Sequence, residues 1–343
     1  MIKPATLPLR RRIGPALTLM FLAPLVSEVL PGATRVSALF VFPIEVCIWG
    51  GGALLIREAA RRFGLGWLHM LFLALALALI EECIVQQTSL APMVLQIFQG
   101  EPYARAFGVN YVYFLWALGY EATFVVFVPI MLTELIFRSR RDEPWLRLAG
   151  VITVSIIFIG ACIPAWYLWT QIARTTVFHV PVYNPPGAAL SIAMFVIVLF
   201  LLFAIGPSRH RFFAVRRPAA PPPPWVLVAG GFVAAALWYC LVLLAFGIRP
   251  AFPPMIAVTA GLAVAAFVIY LLPRLAAHPA WGDTHRMAIV FGTIFGAMVV
   301  SFAGFIYGAA PLDLYGKIML DLVATVLLVC LAIRLRRERV SHA

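Results

Sequence analysis

Apolar residues in this chain come in long unbroken runs, without the period-two or period-3.6 alternation of half-buried soluble elements. The runs lie at about 13–30, 37–56, 67–90, 110–137, 148–170, 187–205, 225–246, 253–272, 287–308 and 315–333. Each is long enough to cross roughly 30 Å of hydrocarbon as a helix. Short blocks of Arg, Pro and small polar residues separate them. Backbone amides in lipid must find partners inside the structure, so spanning segments are helices or strands of a closed barrel. A barrel needs short alternating segments, which these are not. The pattern predicts an all-α fold, a polytopic transmembrane helical bundle of about ten spans.

Charge tests the parity of that count. An even number of crossings puts both termini on one side of the membrane. The basic residues on that side are Lys3, Arg10–Arg12, Arg57, Arg61, Arg62, Arg138, Arg140, Arg141, Arg147, Arg209, Arg211, Arg216, Arg217, Arg274, Arg286, Arg334, Arg336, Arg337 and Arg339. Arg35, Arg105, Arg174, Arg249 and Lys317 fall on the other, a split of 21 to 5. Positive charge is retained in the cytoplasm, so both termini are expected there. The formal charge of +12 is then a cytoplasmic skin of arginines, with the lipid bilayer as partner and no nucleic acid. The cytoplasmic membrane is the expected location. Arg10-Arg11-Arg12 before an apolar run imitates a secretory leader, but no A-x-A site follows and Ile13–Leu30 has the length of a span. Only 12% of residues are charged, against about 25% in soluble domains, too few to cover an aqueous surface.

Five stretches divide the chain: a basic N-terminus 1–12, six helices over 13–206, a basic and proline-rich linker 207–224, four helices over 225–333, and a basic tail 334–343. Cys47, Cys83, Cys162, Cys240 and Cys330 all lie inside apolar runs and are expected to pack as small hydrophobes. Gly50-Gly51-Gly52, Gly292/Gly296 and Gly304/Gly308 offer surfaces for close helix contact. Pro24, Pro43, Pro129 and Pro164 each free a carbonyl inside a span and predict kinks.

Acidic residues are where lipid makes them expensive. Glu28, Glu45, Glu81, Glu82 and Glu121 all come out in the outer half of the bilayer once the alternating helix directions are applied. A charge at mid-membrane costs at least about 2.5–3.5 kcal/mol, so such groups face the bundle interior or water. Gln86 and Ser89 continue a helical stripe from Glu82. Repelling carboxylates must share protons or be neutralised by a cation. The cluster therefore binds a cation, shares protons, activates water, or holds helices together through neutral hydrogen-bonded acids. Arg57, Glu58, Arg61, Arg62 and Glu134 gather at the cytoplasmic ends of helices and are expected to pair. Asp313, Lys317 and Asp321 recur every four residues as an intrahelical ladder, with Asp321 the deepest. None of the six histidines falls in the acidic cluster by linear position. Zinc sites draw on His or Cys, so zinc is not expected, whereas a hard divalent cation tolerates an all-oxygen site.

Glu81-Glu82-Cys83-Ile84-Val85-Gln86 resembles the E-E-x-x-x-R motif of CAAX-processing (CPBP/Abi-type) intramembrane metalloproteases. Leu22–Glu28, Gly50–Arg62, and Gly108-Val109-Asn110 through Pro129 and Glu134 are similar to a group of bacterial polytopic proteins distantly related to them. The likeness covers about residues 20–137. It implies that paired glutamates activate water beside a metal held with the help of histidines, which makes Glu81, Glu82 and Glu121 the catalytic candidates. Glu28, Glu45, Gln86 and Asp321 are the further polar candidates. Two departures stand out: Gln86 takes the arginine position, and Glu121 takes a position where the relatives carry histidine. The resemblance thus points to a divergent or inactive CAAX-protease-like protein. A proton- or cation-coupled transporter and an active metalloprotease are the alternatives, with a peptide, lipid or ion as substrate.

Overall fold

The computed structural model describes residues 9–91, 103–206, 218–246, 249, 251–305 and 308–340. The basic segment 207–217, much of the loop after the third span, and His210 and His342 lie outside them. Ten long helices follow one another: α1 (Leu9–Pro24, continued through Leu25–Val29), α2 (Val36–Phe63), α3 (Trp67–Val85), α4 (Tyr111–Ile136) and α5 (Leu148–Thr176). The series continues with α6 (Gly187–Ile205), α7 (Pro224–Ala245), α8 (Pro254–Ala276), α9 (Asp283–Phe305) and α10 (Pro311–Val340). Among the described residues nine helices are long and apolar enough to span a membrane, and the apolar part of α1, Ile13–Val29, is slightly shorter. The protein is a polytopic helical membrane protein. One small hairpin, β1 (Arg105–Ala106) with β2 (Val109–Asn110), is its only sheet among the described residues.

Helix ends follow local chemistry. Gly64 takes the left-handed conformation at φ 60° and closes α2 with its N–H on the Ala60 carbonyl, beside Arg61 and Arg62 in the last turn. Asn110 caps α4 by accepting the Tyr113 N–H at 3.0 Å. The third span is shorter than its apolar pattern predicts. It ends at Val85 because Gln87 turns left-handed at φ 59°, which breaks the expected stripe from Glu82 through Gln86 to Ser89.

The intramembrane prolines coincide with π-helical turns. Such turns follow Pro24 (Leu25–Val29), Pro43 (Val46–Gly50) and Pro164 (Leu168–Ala173), and one, Glu121–Phe127, precedes Pro129. A proline at position 24 cannot donate to the Met20 carbonyl. That carbonyl instead lies against Gly50, where an added Cβ would sit 2.2 Å from the Met20 oxygen. Helices α1 and α2 therefore touch backbone to backbone, as small residues permit in lipid. Gly292 and Gly296 do the same for α9 against the Val228 and Phe232 carbonyls of α7. Gly304 and Gly308 do not: nothing approaches either position, and Gly308 sits in a turn at φ 81°.

One apolar core runs from Val26 through Tyr113, Tyr120 and Phe124 of α4 to Trp238 and Tyr239 of α7 and Ile294 of α9. A second joins Leu19, Ile48, Leu54, Leu77 and Val125. Helices α5, α6, α8 and α10 turn most of their apolar surface outward, as lipid-facing helices do. Of the five cysteines, all free thiols, only Cys83 is buried; Cys240 and Cys330 are exposed on the outer surface of the bundle. That corrects the expectation that all five pack inside. Methyl-sized polarity is tolerated on a lipid face, so burial is not required of them.

Candidate functional site

Each acidic residue of the cluster sits at an interruption of its helix. Glu28 lies within the π turn Leu25–Val29, Glu81 and Glu82 within Ile80–Val85, Glu121 opens Glu121–Phe127, and Glu45 directly precedes Val46–Gly50. A π turn accommodates one extra residue, redirects the side chains it carries and loosens the carbonyl ladder; such turns concentrate at functional sites. Here they turn carboxyls inward on four different helices.

The structure brings these groups together. Glu121 lies within electrostatic reach of Glu81, Glu28 and Glu82, and Glu28 within reach of Glu45. Glu81, Glu82, Glu121 and Glu45 are buried, and Glu28 is half-buried. Their surroundings differ sharply. Glu82 is fixed: the Ser89 hydroxyl donates to it at 3.0 Å, with the Ser89 backbone and Tyr113 close by. Glu45 accepts the Thr34 hydroxyl on one oxygen and has no partner on the other. Glu121 also has one unpartnered oxygen; the Trp49 indole lies beside it, outside hydrogen-bond geometry. Glu81 is 0% exposed, and neither of its oxygens has a hydrogen-bond partner.

Ser89 owes its place to the hairpin. The Asn110 N–H of β2 donates to the Ser89 carbonyl at 3.0 Å. Arg105 of β1 ties the same turn down, reaching the Leu90 and Ala91 carbonyls at 2.5 and 3.2 Å and Gly108 at 2.8 Å. Trp169 of α5 donates to Thr88 at 3.1 Å from the other side. The broken stripe thus delivers Ser89 to Glu82 after all, through a folded-back turn in place of a helix face. Gln86 stays half-buried, and its backbone N–H closes the π turn on the Glu81 carbonyl at 2.7 Å.

Asp321 is elsewhere. It pairs with Lys317 at 2.7 Å, and Lys317 also donates to the Leu30 carbonyl at 2.7 Å. The expected ladder is only half formed, because Asp313 turns instead to the Ser37 N–H and hydroxyl at 2.9 and 3.1 Å. At the arginine-rich end of the bundle, Arg57 and Glu58 are completely buried, and Glu134 binds both Arg57 and Arg61. Of the described histidines, His69 lies in the first turn of α3, His278 between α8 and α9, His285 in the first turn of α9, and His179 in the loop between α5 and α6.

Zinc chemistry finds poor material here. The donors are carboxylates, hydroxyls and carbonyls, whereas zinc sites favour imidazole and thiolate. Cys83 packs among Ala76, Leu79 and Ile197. Among the described residues no group of three or more His, Cys, Asp or Glu side chains is arranged to hold a metal ion. The oxygen set suits protons or a hard cation bound with help from main-chain and hydroxyl oxygens. Sequence reasoning missed Thr34, Trp49, Tyr113 and Tyr239. The aromatic residues read as ordinary span residues, and Thr34 lies between spans without a motif around it.

Fold and site define a class: a multi-pass helical membrane protein with buried carboxylates at π turns on neighbouring helices, within electrostatic reach of one another. No protein family, curated protein or solved structure matches the chain.

Proposed function

We propose that this protein is a divergent, CAAX-protease-like membrane protein whose intramembrane carboxylates bind protons or a small hard cation in place of zinc-dependent hydrolysis. One observation carries the reading: Glu81 is fully buried with no partner on either oxygen, beside a neighbour, Glu82, that the Ser89 hydroxyl holds. An unpaired charge in that position is prohibitively costly, so the carboxyl holds a proton or shares a cation. Glu81 is then the exchanging group, Glu82 its fixed counterpart, and Glu121 the third acid whose free oxygen completes the centre. The E-E pair and the resemblance over residues 20–137 supply ancestry; the departures at Gln86 and Glu121 remove the positions that hydrolysis would use. The arginine-rich end faces the cytoplasm of a bacterial cell in this reading.

The test is direct. Purified protein and the Glu81→Gln/Glu82→Gln double variant are compared for bound metals and for the infrared carbonyl band of a protonated carboxylic acid. We expect no zinc that depends on the pair, and a protonated-acid band in the native protein that weakens in the variant. One zinc per chain, lost in the variant, would restore the hydrolytic reading.

A further inference from the structure

We infer that this carboxylate centre exchanges its proton or cation with the outer aqueous phase alone, through a port formed by Glu45, Thr34 and Glu28. The inference rests on the proposed function and adds the side from which the ligand arrives.

The outer route is short and polar. The turn between α1 and α2 runs over the cluster at the outer surface, with Ala33 exposed and Gly32 and Arg35 half-buried. Thr34 joins the two outermost acids: its N–H donates to the Glu28 carbonyl at 3.0 Å and its hydroxyl to Glu45. The second Glu45 oxygen has no partner. Glu28 is the connecting group, within electrostatic reach of Glu45 on one side and of Glu81, Glu82 and Glu121 on the other. Tyr113, Tyr120 and Tyr239 also face it, and Cys162 of α5 faces Glu81. The turn is clamped from above. Lys317 of α10 holds the Leu30 carbonyl, Asp313 holds Ser37, and Phe305 lies against Gly32, whose φ of 75° lets the chain turn there. Arg35 and Lys317 lie over the Phe305 ring, with Asp321 paired to Lys317 below.

The inner route is closed. Leu19, Ala53, Leu54, Ala74, Val125 and Val126 are each 0% exposed between the cluster and the cytoplasmic end. Beyond them the Arg57–Glu58–Glu134 network seals the bundle, its Arg57 stacked 3.4 Å above Trp145. Glu45 and Arg57 stand twelve positions apart on α2, roughly 18 Å of helix, and below the Trp49 indole beside Glu121 that stretch carries only Gly, Ala, Leu and Ile.

A hydrophobic carbodiimide tests this, because it reaches buried acids through lipid and reacts only with the protonated form. Right-side-out and inside-out vesicles carrying the protein are held at different pH on their two faces, and adducts on Glu28, Glu81 and Glu121 are quantified by mass spectrometry. Labelling is expected to follow the pH of the outer face and to ignore the cytoplasmic-side pH. Glu45→Gln and, independently, Thr34→Val should slow the response of Glu28 labelling to an outer pH jump by tenfold or more. Labelling that tracks the cytoplasmic side, or both sides equally, overturns the outer route while leaving the protonatable centre standing. Absence of labelling at every pH overturns the centre itself and the route with it.

Discussion

Arg57→Lys isolates what the cytoplasmic seal depends on, because it keeps the charge and removes only the shape of the guanidinium. Arg57 is fully buried and uses its fork in three directions: Nε to Glu134 at 3.3 Å, Nη1 to the Glu143 carbonyl at 2.7 Å, and Nη2 to the Arg141 carbonyl at 2.7 Å. Its flat face lies 3.4 Å from the Trp145 ring. A lysine gathers its donors at one point and serves one of these directions. Two charge-assisted hydrogen bonds are then lost, at about 1.5–3 kcal/mol each. The weakened stack on Trp145 adds about 1 kcal/mol. Glu134 keeps its 2.7 Å bond from Arg61, which limits the damage there. The sum is about 4–7 kcal/mol, at or above the range for breaking a buried ion pair.

At about 2–4 °C per kcal/mol for a large domain, the apparent melting midpoint should fall by roughly 8 °C or more. The assay is a thermal ramp of the detergent-purified protein at one fixed scan rate, since unfolding of such a protein is kinetically controlled. Protease added to inside-out vesicles should also cut the loop 138–147 faster in the variant. A midpoint within about 2 °C of the native one, with unchanged cleavage, would refute the reasoning: charge alone would then hold the seal.

Other outcomes follow from particular contacts. Gly50→Ala should destabilise strongly, because the new Cβ meets the Met20 backbone oxygen at 2.2 Å, whereas Gly51→Ala finds only ordinary contact with Phe158 at 3.5 Å and should be nearly neutral; parallel thermal ramps decide, and equal midpoints would dismiss the close helix approach. Glu81→Met removes two buried oxygens without partners, each worth about 1–3 kcal/mol when unsatisfied, so its midpoint should match or exceed the native value; a drop of several degrees would mean the carboxyl is a structural tie. Reporter fusions after residues 35, 105, 178, 250 and 312 should read outside and those after 62, 142, 215, 280 and 340 inside, with two adjacent reversals breaking the ten-span topology.

The spans were legible because lipid imposes one rule, internal pairing of the backbone, that shows directly in composition. Gly64 and Asn110 marked helix ends through their intrinsic conformational preferences. The apolar pattern of the third span continues to Leu90, past the observed end at Val85, and nothing local announces the left-handed Gln87. The acids were legible as anomalies of burial, and helix direction placed them at one depth. Which of them carry partners was not legible. Ser89 reaches Glu82 through a turn pinned by Arg105 and Asn110, a contact decided by tertiary structure. Nor does sequence mark a π turn, since the extra residue looks like any other in an apolar run; only Pro24, Pro43 and Pro164 hint at three of the five.

The distribution of partners bears on why the acids are there at all. Carboxyls retained to tie helices together should each be capped, because an uncapped buried acid weakens the fold it is meant to hold. Glu58 meets that description: it accepts the Trp145 and Leu146 N–H groups at 2.7 and 3.3 Å and pairs with Arg57 and Arg62. Glu134, between Arg57 and Arg61, meets it too. Both lie at the cytoplasmic end, on regular helix. The outer cluster follows another rule: Glu82 is capped by Ser89, while Glu81, adjacent in sequence, is not capped at all, and Glu45 and Glu121 each keep an oxygen free. The same chain therefore caps Glu58 and Glu134 and leaves most of its unpartnered carboxyl oxygens where its helices break into π turns, with Asp321 Oδ1, on the acid paired to Lys317, the exception. A ligand that supplies the missing contacts, proton or cation, accounts for that contrast; a purely structural role accounts only for the cytoplasmic half.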